Sequence, residues 1–85
     1  SRVPDLAQSM TDQLVRFVQA VRSLDLKKAP AISETVDWAK SLVLLHARDL
    51  DSALVTDTLN VLLKYEEDIQ TAEGQLPKLM AAAAG

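Results

Sequence analysis

Apolar residues recur along the first third of the chain as Leu6, Met10, Leu14, Phe17, Val18, Val21 and Leu24. Spacings of three and four residues place them on one stripe of a helix of about five turns. Gln8, Asp12, Arg16, Gln19 and Ser23 fall on the opposite face. Pro4 suits the first turn of this helix, and Ser9 followed by Asp12 offers an alternative, capping-box-like start. Pro30 disfavours helical backbone at Ala29, so the helix ends by Lys28 at the latest. Lys27 and Lys28 then lie near its carboxyl end, where the macrodipole favours cations.

A second helix is predicted over residues 34–47, with Ser33 as N-cap and Glu34 and Asp37 in its first turn. Val36, Trp38, Ala39, Leu42, Val43 and Leu45 cover more than one face, so this helix is expected to be the most buried. Asp51 caps a third helix whose stripe is Val55, Leu59, Leu62 and Leu63, with Thr58 between. Helical pattern continues from Tyr65 to Glu73, with a possible kink at Lys64 and Tyr65. Glu66, Glu67 and Asp68 read as a solvated acidic face. Gly74 suits a helix end. Residues 74–85, ending in four alanines and Gly85, read as a weakly ordered tail or a short terminal helix. No β-type alternation and no internal repeat is present. The fold class is all-α, a small bundle of three to four helices in a single domain over residues 1–85, with its core in 3–73.

Composition narrows the function by exclusion. Eighty-five residues, 48% of them apolar, provide one core and no second. A formal charge of −3 gives no basic footprint for nucleic acid. The chain has no cysteine and one histidine, His46, so neither a disulfide framework nor a thiolate or histidine metal cluster is expected. The apolar runs are only a few residues long, far below the roughly 20 that cross a bilayer, and no signal-peptide pattern stands at the amino terminus. The expectation is a soluble, cytoplasmic chain. It begins at Ser1 rather than methionine, the pattern of an excised domain or of a processed chain.

No catalytic constellation emerges. Gly74 and Gly85 are the only glycines, too few for a phosphate-binding loop. His46 lacks a partner nucleophile in a recognisable pattern, and paired carboxylates are commonplace among twelve acidic residues. Trp38 reads as core packing before it reads as a stacking platform. The chain is therefore not expected to be an enzyme; a helical interaction module with surplus apolar surface is the remaining class.

Arg22, Leu24, Leu26, Lys27 and Pro30, followed by SETVDWAKSL at 33–42 and LDSALVTDTLNVLLKYEEDI at 50–69, resemble the carboxyl-terminal helical lid of MoxR-type AAA+ ATPases, in the branch related to CoxD proteins. The resemblance covers roughly residues 3–69. It implies a lid packed over the nucleotide of a preceding ATPase core, ATP and Mg bound by the full-length protein, and a homo-oligomeric ring. Chaperone-like remodelling or metalloenzyme maturation is the implied task. In many such lids an arginine near the start of the second helix reaches the phosphates. Alignment of helix starts puts Ser33 there, or Glu34 one residue on, and neither is cationic. By position, Ser33, Glu34 and Trp38 mark the nucleotide-facing edge, with Lys40, Lys27 or Lys28 as substitute cations. The alternative reading is a stand-alone helical adaptor that binds a protein partner and no nucleotide.

Overall fold

A computed structural model describes residues 8–85, all of whose regular structure is helical. Five helices follow one another: α1 (Gln8–Arg22), α2 (Ile32–Leu44), α3 (Ser52–Leu62), α4 (Glu66–Gly74) and α5 (Leu76–Ala84). The all-α class is as expected, with five helices in place of three to four. The expected start at Pro4 or Leu6 lies outside the described residues. Ser9 is already within α1, so it does not begin the helix.

Helix α1 buries Met10, Leu14, Phe17, Val18 and Val21, the stripe predicted from spacing. It stops at Arg22, six residues before Lys28. Ser23 and Leu24 donate their N–H groups to Ala20 and Val21 carbonyls, and the Ser23 hydroxyl takes the Ala20 carbonyl as well. These tight i→i−3 bonds close the last turn. Lys27 and Lys28 consequently belong to the connector, not to a helix end.

Helix α2 begins two residues earlier than expected. Its N-cap is Ala31, in extended backbone, and Ser33 lies exposed in the first turn. Ala31 has no side-chain oxygen, so the cap is the reciprocal half of a capping box alone: the Ala31 N–H donates to Glu34 Oε1 at 2.7 Å. The helix ends in a Schellman motif, with Ala47 N–H on the Leu42 carbonyl and His46 N–H on that of Val43. His46 occupies the left-handed position, φ 55°, normally given to glycine. Helix α2 is not the most buried element. It buries Trp38, Ala39 and Leu42, fewer side chains than α1, and leaves Ile32 and Leu44 about three-quarters exposed.

Asp51 caps α3 as its sequence position suggests, accepting the Leu54 N–H at 2.8 Å. Val55, Thr58, Leu59 and Leu62 face inward from this helix. The break expected at Lys64 and Tyr65 is present: Leu63 and Tyr65 are extended, and α4 starts afresh at Glu66. Gly74 is the last residue of α4, and the single residue Gln75 joins it to α5.

Residues 76–84 form the helix of the two alternatives; of its four alanines Ala83 alone is buried, and Leu79 adds the larger buried side chain. Helix α5 packs along α1, with Leu79 and Ala83 in the core, and Arg16 Nε donates to the Ala83 carbonyl at 2.8 Å. The chief contacts pair α1 with α5 and α2 with α3. One apolar cluster joins these pairs, and Trp38 is fully buried in it: its ring meets Phe17 at 5.2 Å between centroids, tilted 36°.

Candidate functional site

The connector between α1 and α2, residues 23–31, and the first turn of α2 hold the motif residues singled out from the sequence. A segment without helical hydrogen bonds must satisfy its backbone elsewhere. Here the partners come from remote side chains. Lys27 N–H donates to Asp68 Oδ1 at 2.8 Å and Lys28 N–H to Asp68 Oδ2 at 3.0 Å. Arg22 Nη1 donates to the Pro30 carbonyl, and Pro30 is fully buried. Asp68 is only 2% exposed. It is therefore a buried anchor, which corrects its reading as part of a solvated face; Glu66 and Glu67 are exposed as expected.

Charges around this joint pair off. Lys27 Nζ meets Glu67 at 2.9 Å and lies 5.1 Å from the centre of the Tyr65 ring. Glu34 receives two lysines, Lys64 at 3.2 Å and Lys28 at 3.4 Å. The Glu34 carboxyl is held below its ordinary pKa, first by the Ala31 N–H and then by the two lysines, against partial desolvation. Glu67 is lowered and Lys27 raised by their mutual hydrogen bond and attraction.

The four candidate residues do not converge. Trp38 is fully buried, its Nε1–H donating to Thr58 Oγ1 at 2.8 Å, and that hydroxyl reaches the Leu54 carbonyl at 2.8 Å. No face of the indole is open to a ligand. Glu34 is half-buried and committed to the cap and two lysines. Ser33 and Lys40 are exposed, and seven residues apart they share one strip of α2, within about 20° of each other. Trp38 lies roughly 140° around the helix from Ser33. A bound phosphate needs converging N–H donors or cations. Ser33, Glu34, Trp38 and Lys40 supply a hydroxyl, a paired anion, a core ring and one lysine. They do not by themselves fit ATP or Mg, and among the described residues no three carboxylate or histidine groups gather to hold a metal.

Beside the joint, an open groove of about 300 Å³ runs between α1 and α2. Val15, Val18, Gln19 and Arg22 line it from α1, and Ile32 and Thr35 from α2. Val15 is 51% exposed and Ile32 74%. Arg22 is the only charged residue in this lining. The surplus apolar surface expected on α2 is thus located, at its first turn and again at its far end, at Leu44 and the C-cap Leu45.

Sequence reasoning missed Asp68 and the Arg22–Pro30 bond. A signal existed for Asp68: it stands four residues before Ala72, on the buried stripe of α4, whereas Glu66 and Glu67 do not. None of the described helices is long and apolar enough to cross a membrane. No protein-family model, curated protein or solved structure matches the chain.

Proposed function

We propose that the chain is a non-catalytic helical docking module, acting as the lid subdomain of a MoxR-like AAA+ ATPase. In this role it packs against a preceding ATPase core over its nucleotide, and it contributes to ring assembly and to remodelling of a client or maturation of a metalloenzyme. The supporting observation is the pinned joint at residues 27–33. Its backbone is tied down by Asp68, Arg22 and Glu34 while Lys27, Lys28, Ile32 and Ser33 remain exposed. A connector this firmly held and this poorly covered is suited to presenting a fixed edge to another domain. Lys27 and Ser33, two of the residues that carry the resemblance, lie on that same edge.

The charge pattern sets the manner of docking. Ser33, or Glu34 one residue on, stands where a phosphate-reaching arginine is expected, and Glu34 already neutralises Lys28 and Lys64. The module therefore meets its core through apolar contact at Val15 and Ile32, and any touch on the nucleotide falls to Ser33 and Lys40. The adaptor reading shares this apolar contact; the absence of a cation at 33 or 34 favours it, and the MoxR-like motif order favours the lid.

The two readings separate on the coding sequence that precedes Ser1. A GxxxxGK[ST] loop followed by an acidic strand is expected for the lid, and its absence overturns that reading. In the protein carrying such a core, removal of residues 8–85 is expected to lower ATP hydrolysis and ring assembly. MgATP added to the 85-residue chain alone is expected to leave its amide shifts unmoved. Tight binding there contradicts the claim that this chain builds no phosphate site.

A further inference from the structure

The Asp68 carboxylate meets the connector as a ligand meets a receptor. Both of its oxygens are used, one on each of two successive N–H groups, and those groups are 41 and 40 residues away in sequence. Consecutive backbone N–H groups converging on one anion form a nest, an arrangement that binds carboxylates and phosphates where water is excluded. Water is excluded here, because Asp68 is 2% exposed. The side chains of Lys27, Lys28 and Ala29 lie at the surface, where the two lysines make only ion pairs and the contact of Lys27 with the Tyr65 ring. Two further bonds tie the same regions, Lys27 to Glu67 and Lys64 to Glu34, but both lysines are more than half exposed, where an ion pair contributes little.

We propose that the Lys27 and Lys28 N–H pair is an anion-binding site for a single planar carboxylate, filled from within by Asp68, and that this bound carboxylate holds the joint of α1 and α2 onto α4. Leu26 and Pro30 pack beneath the connector. The site's specificity follows from its geometry. Two donors side by side match the two oxygens of a carboxylate. With the aspartate side chain removed, the nest is open to a free carboxylate of the smallest size.

The test is Asp68→Ala in the full chain, with sodium formate as probe and sodium chloride at equal ionic strength as control. Amide hydrogen exchange is read at Lys27 and Lys28 against amides of α1 and α5. In chloride, exchange at both residues is expected to quicken roughly 10- to 100-fold, the factor that goes with losing a charge-assisted hydrogen bond. Formate is expected to restore protection saturably. Asp68→Asn is the second variant: it keeps the shape but aims an amide NH₂ at one of the two donors, so it is expected to lose protection and to ignore formate. If Asp68→Ala is unfolded in chloride, recovery of its helical circular dichroism on adding formate supports the site equally. Unchanged exchange at Lys27 and Lys28 in both variants, or an Asp68→Ala protein indifferent to formate, overturns the proposal.

Discussion

Two residues carry buried or paired polar chemistry whose removal has a signed consequence. Thr58 is the sole acceptor for the Trp38 indole N–H, and both are buried. Thr58→Val keeps the volume and strands that donor, so a loss of about 1–3 kcal/mol is expected in urea denaturation. In a Trp38→Phe background, which has no indole N–H to strand, the same substitution is expected to cost less, and additive losses would refute the coupling. Glu34 gives a pH dependence. Its folded pKa lies below the ordinary 4.5 because the Ala31 N–H and two lysines favour the carboxylate. A lowered folded pKa means stability that is present above about pH 4.5 and lost as pH falls through the folded value. Glu34→Gln is therefore expected to be less stable than wild type at neutral pH, with the gap closing in acid. Melting followed from pH 7 to pH 3 checks this, and a gap that widens in acid contradicts it.

At the scale of elements, α5 is the one whose contribution departs most from expectation. Leu79 is buried against α1, and Leu79→Ala is expected to cost about 2–5 kcal/mol, the range for a core leucine. A frayed tail would lose almost nothing, so the urea midpoint decides. The helical stripes of α1 and α3, the Asp51 cap and the break at Lys64 were legible because they are local: each is written in residues three or four apart, or in one residue's capping chemistry. The path of the connector after α1 was not legible, because Asp68 captures it from 41 residues away. Nor was the docking of α5, since Leu79 and Ala83 are buried against a helix far away in sequence, with Arg16 reaching Ala83 across 67 residues. Ser33 misled for a related reason: it is the better cap residue, yet Glu34 reaches back to Ala31 and starts the helix earlier. For the candidate site, the stretch was legible and the grouping was not. Ser33, Glu34, Trp38 and Lys40 are close in sequence but fan around α2, and only the three-dimensional path shows that Trp38 faces inward.

For the molecule as a whole, two helix pairs, α1 with α5 and α2 with α3, share one core and leave a groove between α1 and α2. Val15 and Ile32 lie on that groove, largely outside the core. Val15→Lys and Ile32→Asp are each expected to change folding stability by no more than about 0.5 kcal/mol, as exposed substitutions do. In the protein that carries the proposed ATPase core, the pair is expected to weaken docking of the module, measured as loss of ring assembly by size-exclusion chromatography. Assembly that survives both changes removes the groove from the interface. The position of Trp38 has a practical consequence for all such measurements. It is the chain's one tryptophan, placed where α1, α2 and α3 meet, and it lies against the one phenylalanine. Its native emission should be blue-shifted and poorly quenched by acrylamide, and it should turn red only when the helix pairs come apart, so the molecule carries its own optical gauge of whether its two halves are still joined.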